Sequence, residues 1–96
     1  MDGDEASAVR VTVRGQVQGV WYRNWTVENA MALGLSGWVR NRGDGSVEAV
    51  FAGPQASIET MIARCHIGPP AAHVEAVEQH LAAMPANAGF QQLPTV

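Results

Sequence analysis

The sequence predicts an α+β domain with the element order βαββαβ, in which one antiparallel sheet carries both helices on one face. Three observations lead to this prediction. Apolar and polar residues alternate near residues 9–14 and 46–52, as in half-buried strands. Near residues 22–33 and 54–65, the apolar residues instead recur at helical spacing. Glycine or proline separates the successive segments, which is typical of turns and loops.

The size and composition indicate one globular domain. The chain has 96 residues, of which 47% are hydrophobic and 16% are charged. Two domains would each have roughly 50 residues, near the lower limit for independent folding. Residues 1–7 are acidic and show neither the alternation of a strand nor the spacing of a helix. We therefore expect a disordered acidic leader before a domain at residues 8–96.

The basic residues and the single cysteine exclude several classes of protein. All six basic side chains are arginine, so neither a P-loop lysine nor a Schiff-base lysine is present. A net charge of −3 argues against binding to nucleic acid or to an anionic membrane. No apolar run is long enough to span a bilayer. The lone Cys65 fits a reducing compartment, and we expect a cytoplasmic monomer.

The first strand and the loop after it are the most informative segments. Val9, Val11 and Val13 lie on one face of a strand that is predicted to begin at Ala8. We expect Gly15 to end this strand and to open a loop that extends to residue 20. A helix then follows over about residues 22–33. Its predicted apolar stripe, which ends at a glycine suited to the left-handed C′ position, consists of Val27, Ala30, Met31 and Gly34.

A hairpin is predicted in the middle of the chain. Strands over residues 36–41 and 46–52 flank the turn Arg42-Gly43-Asp44-Gly45, in which two glycines can adopt positive φ. Val47, Ala49 and Phe51 share one face of the third strand. Glu48 and Val50 are expected to face outward.

The second half of the chain completes the order. Pro54 is expected at the first position of the second helix, whose apolar stripe consists of Ile58, Met61, Ile62 and Cys65. Residues 73–81 are predicted to form a fourth strand, for which a helix is the alternative. Residues 90–93 form a short edge strand in this prediction.

This order is that of the split-βαβ, ferredoxin-like arrangement. In it, strand 2 is expected to run beside strand 1 in the same direction. The loop after strand 1 and the hairpin after strand 2 would then lie at the same end of the sheet. We therefore expect Arg23 and Asn41 to face one pocket.

The loop over residues 15–20 leads directly into a helix N-terminus, where unpaired amides can bind an anion. Arg23 lies in the first turn of that helix, where a cation opposes the macrodipole at a cost of about 0.3–1 kcal/mol. A bound phosphate between the amides and the guanidinium explains this placement. A solvated arginine beside a glycine turn is the alternative, and the spacing does not decide between them. Likewise, the amide of Asn41 can hold a water, or Asn41 can merely begin a turn.

Two blocks of the sequence resemble the acylphosphatase family. Residues 15–23, GQVQGVWYR, are similar to the family signature G-x-V-Q-G-V-x-[FY]-R. Residues 33–41, LGLSGWVRN, resemble its second block, L-G-L-x-G-W-V-R-N. The resemblance covers about residues 8–93. It departs from the family at Arg42, where many members have a small hydroxyl residue.

The resemblance implies a metal-independent hydrolase, without a cofactor, that converts acyl phosphates to a carboxylate and inorganic phosphate. It implies that Arg23 binds phosphate and that Asn41 positions the attacking water. The implied phosphate cradle consists of the backbone amides of Gln16, Val17, Gln18, Gly19 and Val20. A regulatory module that binds an acyl phosphate or another anion without hydrolysing it is the alternative.

The remaining side chains with chemical potential are expected to have other roles. His66, His73 and His80 recur every seven residues but fall on different elements, so we expect no metal site. Cys65 is expected in the core rather than as a nucleophile. The three tryptophans are expected to pack near the site, and we do not expect them to bind RNA bases.

Overall fold

The computed structural model describes residues 6–96. Residues 1–5, which make up most of the predicted acidic leader, lie outside the described residues. The elements, in chain order, are β1 (Ala6–Gln16), α1 (Tyr22–Ala32), β2 (Ser36–Asn41), β3 (Val47–Pro54), α2 (Gln55–Cys65), β4 (His73–Leu81) and β5 (Phe90–Gln92). This order agrees with the predicted βαββαβ arrangement and includes the short terminal strand.

Strand β1 extends beyond the predicted segment at both ends. Ala6 and Ser7, which were expected in the leader, pair with the end of β3. Gly15 does not end the strand, because a β-bulge follows Arg14 and pairing with β4 continues to Gln16. Gly15 has φ 128°, and a Cβ atom there would collide with the backbone carbonyl of His73. The glycine therefore permits the close approach of β4 rather than a turn.

The sheet order is β4-β1-β3-β2-β5. Four of the strands pair in antiparallel fashion, whereas β5 runs parallel to β2. The prediction of a wholly antiparallel sheet is therefore wrong at this edge, and the sheet is mixed. Strand β3 lies between β1 and β2, which were expected side by side. Both strands are antiparallel to β3, so they still run in the same direction and their C-terminal ends lie at the same end of the sheet.

Both helices cover one face of the sheet and enclose the core between them. The buried positions of α1 are Tyr22, Thr26 and Ala30, which form a row at i, i+4 and i+8. Met31, predicted to be part of the apolar stripe, is 63% exposed, because this row rather than the predicted one faces the sheet. Gly34 has φ 70° as expected. The N–H of the next residue bonds the Ala30 carbonyl at 2.9 Å, which completes a Schellman motif.

Helix α2 begins one residue later than predicted. Pro54 is the N-cap, with φ −59° and ψ 138°, and it also ends β3. The predicted stripe is confirmed, with Ile58, Met61 and Cys65 buried. Over residues 6–96, no helix has the length and apolar character needed to cross a membrane.

A carboxylate is buried on the face of the sheet that the helices do not cover. Glu48 lies on the face of β3 opposite the helices, yet its side chain is only 5% exposed. Its Oε1 lies 2.9 Å from Nε of Arg40, and its Oε2 lies 3.2 Å from Nη1 of Arg42. Glu48 points away from the helices as predicted, but the two guanidinium groups cover it. This pairing offsets the cost of removing the carboxylate from water.

Candidate active site

The start of α1 is electrically positive. Its first turn has no acidic residue, and its N-cap, Trp21, makes no side-chain capping bond. The first helical hydrogen bond runs from the Trp25 N–H to the Trp21 carbonyl at 3.0 Å. The N–H groups of the first turn are therefore left without helical acceptors, and the helix dipole adds partial positive charge at this end.

The loop before α1 adds further unpaired donors. Within residues 6–96, the backbone N–H groups of Gln18, Gly19 and Val20 donate to no backbone or side-chain acceptor. Gly19 has φ 74° in open space, a left-handed conformation that reverses the direction of successive amides at little steric cost. Consecutive unpaired amides next to a left-handed glycine are the groups from which anion-binding nests are built.

A side chain ties this loop to the β2–β3 hairpin. Nε2 of Gln18 donates to the backbone oxygens of Arg42 at 2.8 Å and Ser46 at 2.9 Å. The hairpin is itself held by Asp44, whose Oδ1 accepts from Ser46 N at 2.9 Å and from Ser46 Oγ at 2.6 Å. The ends of β1 and β2 are thus connected through polar contacts as well as through the sheet.

The guanidinium of Arg23 differs from those of most other arginines in the chain. Arg14, Arg40, Arg42 and Arg64 each bind a carboxylate or an amide oxygen. In the part of the chain that the structure describes, Arg23 has no ion pair and no side-chain hydrogen bond, and the same is true of the exposed Arg10. Arg23 lies at the α1 N-terminus, where its charge adds to that of the helix dipole. This arrangement favours an anionic ligand.

Asn41 is the last residue of β2, and its side-chain oxygen has no hydrogen-bond partner in the described part of the chain. Its Oδ1 is buried and has no hydrogen-bond partner among residues 6–96. Its backbone carbonyl accepts from the Val96 N–H at 3.1 Å, so the backbone at the end of β2 is held in place. A buried polar atom without a partner typically costs about 1–3 kcal/mol, which a bound water or ligand would offset.

One cavity of about 360 Å³ brings Arg23 and Asn41 together, as the topology predicted. Val17 and Gly19 of the loop also line it, whereas Gln16, Gln18 and Val20 do not. Among residues 6–96, the lining of the cavity includes no aspartate or glutamate. The cavity therefore combines a cation, amide groups and a helix N-terminus, which suits a phosphate group.

Sequence reasoning gave no role to three residues that line this cavity, Tyr22, Asn24 and Gln92. Trp21 lies near the site as expected, but it is 77% exposed rather than packed. Gln92 reaches the cavity because β5 pairs with β2, and Gln92 lies opposite Val39 in that pairing. No local sequence pattern predicts that a strand of three residues pairs in parallel at the edge of the sheet. Only the tertiary structure therefore identifies Gln92 as a residue that lines the cavity.

Arg42 departs from the family pattern but does not line the cavity. Its guanidinium is bound by the buried carboxylate of Glu48 at 3.2 Å. The extra cation is thereby directed to the open face of the sheet. The guanidinium of Arg23 is the one that lines the cavity.

The other candidates lie elsewhere. Cys65 is buried in the core, and burial raises the pKa of its thiol to about 12, so it is a neutral thiol near pH 7. His66 caps the end of α2, while His73 and His80 lie near opposite ends of β4. The described residues contain no cluster of three or more histidine, cysteine or acidic side chains able to hold a metal ion.

Comparison with known proteins gives a consistent result. A family model described as acylphosphatase matches residues 9–92. An acylphosphatase from Rhodospirillum rubrum is 54% identical over 86 residues, covering 90% of this chain and 94% of the relative. An acylphosphatase from Rhizorhabdus wittichii is 54% identical over 95 residues, covering 99% of this chain and 96% of the relative. The solved structure of an acylphosphatase from Coxiella burnetii is 33% identical and superimposes with a TM-score of 0.89, covering 97% of this chain and 100% of that one.

Proposed function

The chain belongs to the acylphosphatase family, and we propose that it hydrolyses acyl phosphates to a carboxylate and inorganic phosphate. The observation that carries this proposal is the cavity that Arg23 and Asn41 both line. A guanidinium that has no ion pair or side-chain hydrogen bond among residues 6–96 and lies at a helix N-terminus suits the phosphate group, and the Asn41 side-chain amide suits a water. Phosphoryl transfer depends largely on positioning and charge stabilisation, and this cavity offers both.

In the proposed site, Arg23 binds two phosphate oxygens through its planar guanidinium. The amides of residues 17–20 and the first turn of α1 bind the others. Gln16, which was expected to contribute its amide, ends β1 opposite His73, so the proposed cradle begins at Val17. As the bond to the acyl group breaks, negative charge develops on the phosphoryl oxygens, and these fixed donors stabilise it without rearranging.

Asn41 is proposed to orient the attacking water. Its side-chain amide hydrogen-bonds the water, which directs a lone pair of the water oxygen toward phosphorus. The water oxygen bonds to phosphorus, the bond between phosphorus and the acyl oxygen breaks, and the acyl group departs as a carboxylate. The protons of the water remain on the released phosphate or pass to solvent.

The chemistry of the leaving group explains why this site is sufficient. A carboxylate has a conjugate acid with a pKa near 4, so it departs without being protonated. An alkoxide is about as basic as hydroxide, whose conjugate acid, water, has a pKa of about 15.7, and its departure needs an acid or a metal ion. Within the part of the chain that the structure describes, no carboxyl group that could act as this acid lines the cavity.

We further propose that the protein acts as a monomer in the cytoplasm on a small-molecule substrate. The lone cysteine, Cys65, is a buried free thiol, which fits a reducing compartment. The net charge of −3 disfavours a nucleic-acid partner or an anionic membrane.

A matched pair of substrates tests the proposed reaction. Phosphate release is measured from acetyl phosphate and from ethyl phosphate, with and without a chelator. We expect rapid release from acetyl phosphate in both conditions and almost none from ethyl phosphate. Binding of phosphate without hydrolysis of acetyl phosphate would instead support a non-catalytic module. Equal kcat/KM values for the two substrates would require a general acid that this mechanism lacks.

A further inference from the structure

Trp21 is the most exposed of the large apolar residues that line the cavity. Its exposed fraction is 77%, whereas Val17 and Tyr22, which also line the cavity, are 1% and 2% exposed. Exposing an indole to water is unfavourable. Trp21 lies next to Tyr22, whose hydroxyl donates to the Cys65 carbonyl at 2.7 Å and fixes this part of the chain. The indole is thus held at the cavity on an anchored backbone.

Local structure does not account for a tryptophan at this position. Trp21 has φ 66° and ψ 19°, and it is the one non-glycine residue with positive φ among residues 6–96. Glycine or asparagine adopts this conformation at a lower cost. Trp21 is also the N-cap of α1, where serine, threonine, aspartate or asparagine would supply a capping bond that tryptophan does not.

Packing does not account for it either. Trp25 packs against Tyr22, with ring centroids 5.2 Å apart, and the guanidinium of Arg40 lies 4.6 Å from the ring centre of Trp38. Across the described part of the chain, no comparable ring or cation contact involves Trp21. Its place at the cavity is the remaining feature that distinguishes it.

The cavity is lined by two kinds of residue. Arg23, Asn41 and Gln92 are polar and suit a phosphate, and Trp21 adds an exposed apolar surface. Its volume of about 360 Å³ lies within the range of small-molecule sites, roughly 300–1,000 Å³, so it has room for more than a phosphate group. An acyl phosphate is divided in the same way, because its phosphate is charged and its acyl group is apolar.

We propose that the Trp21 indole contacts the acyl group of the substrate and favours aromatic acyl groups over small aliphatic ones. This inference rests on the proposed function, because it names the substrate class of the same site. An aromatic acyl group stacks on the indole and removes apolar surface of both from water. An acetyl group is too small to use this surface fully, so it depends on the phosphate contacts alone.

The test compares the wild type with Trp21→Gly and Trp21→Phe. Glycine adopts the left-handed conformation readily, so Trp21→Gly removes the indole without strain at this position, and urea unfolding checks that the fold persists. We expect its kcat/KM for benzoyl phosphate to fall roughly 10-fold, about the value of one aromatic contact. The losses in kcat/KM for acetyl phosphate and in inhibition by inorganic phosphate should be much smaller than this, because both depend mainly on the phosphate contacts. Trp21→Phe should recover most of the preference for benzoyl phosphate.

Binding measurements separate this inference from the proposed reaction. Benzoylphosphonate and acetylphosphonate resist hydrolysis, and calorimetry compares their affinities for the wild type and Trp21→Gly. A loss for benzoylphosphonate alone supports the contact with Trp21. Equal losses for both analogues, or no loss for either, would overturn it. A wild type that hydrolyses neither acyl phosphate would refute the proposed function, and the phosphonate pair would still decide the role of Trp21.

Discussion

The side-chain amide of Gln18 donates to the backbone oxygen of Arg42 at 2.8 Å, which joins the loop after β1 to the hairpin after β2. These two segments are far apart in the sequence, and each carries one part of the proposed site. The loop supplies the amides next to Arg23, and the hairpin follows Asn41. Gln18 therefore connects the segment proposed to bind phosphate to the segment proposed to bind the water.

Replacing Gln18 by alanine should lower both stability and turnover. The change leaves the carbonyls of Arg42 and Ser46 without this donor, and an unsatisfied, partly buried acceptor typically costs about 1–3 kcal/mol. We expect a loss of that size in the free energy of unfolding in urea, together with a lower kcat. Gln16→Ala is the control, because the exposed Gln16 makes no side-chain hydrogen bond within residues 6–96. Equal effects of the two variants would contradict a connecting role for Gln18.

Arg23→Gln should abolish most of the activity and leave the fold intact. Removing a charge-assisted donor from a preorganised site typically costs about 2.7–4 kcal/mol, or 100- to 1,000-fold in rate. Removing a cation from a helix N-terminus should stabilise the fold by about 0.3–1 kcal/mol. The measurements are kcat/KM for acetyl phosphate, inhibition by inorganic phosphate and urea unfolding. Arg10→Gln is the matched control, since Arg10 is exposed on β1. Near-normal activity of Arg23→Gln would refute the proposed phosphate site.

Asn41→Ala should lower kcat steeply while phosphate binds with near-native affinity. The reason is that the amide is proposed to hold the water rather than the phosphate. Asn41→Asp has nearly the same shape but introduces a negative charge beside the phosphate, so it should weaken phosphate binding as well. The two variants are compared by kcat, KM and the inhibition constant of inorganic phosphate. A loss of phosphate affinity in Asn41→Ala at unchanged kcat would assign this residue to phosphate binding.

The turn at Asp44 should make part of the stability depend on pH. Hydrogen bonds from the Ser46 hydroxyl and N–H lower the pKa of Asp44 to about 2. Because its pKa is lower in the folded state than the ordinary value of about 3.9, Asp44 stabilises the fold above about pH 4. This contribution is lost as the pH falls toward 2. Asp44→Asn should therefore be less stable than the wild type at neutral pH, and the difference should shrink as the pH falls.

Urea unfolding of the wild type and Asp44→Asn between about pH 7 and pH 2 measures this difference. Ser46→Ala removes the hydroxyl and keeps the hydrogen bond from the backbone N–H to Asp44. The pH-dependent part of its loss of stability should therefore be smaller than that of Asp44→Asn. A difference between wild type and Asp44→Asn that stays constant over the whole pH range would show that the charge of Asp44 does not contribute.

The local pattern of the sequence was enough to predict the order of the elements and several of their bounds. Strands β2 and β4 agree with the predicted residues 36–41 and 73–81, because the alternation of side chains along a strand is a local property. Gly34 has the predicted left-handed conformation, because a glycine after the last helical turn is also recognised locally. The same topology placed Arg23 and Asn41 in one cavity.

The tertiary structure alone decided the features that depend on distant parts of the chain. The parallel pairing of β5 with β2 brings Gln92 to the cavity. Arg40 and Arg42 cover the buried Glu48 of β3, and the Trp21 indole is exposed at the cavity. Local periodicity indicates which face of a helix or strand is apolar. It does not indicate which distant strand, side chain or cavity contacts that element, because those contacts are set by the packing of the whole chain.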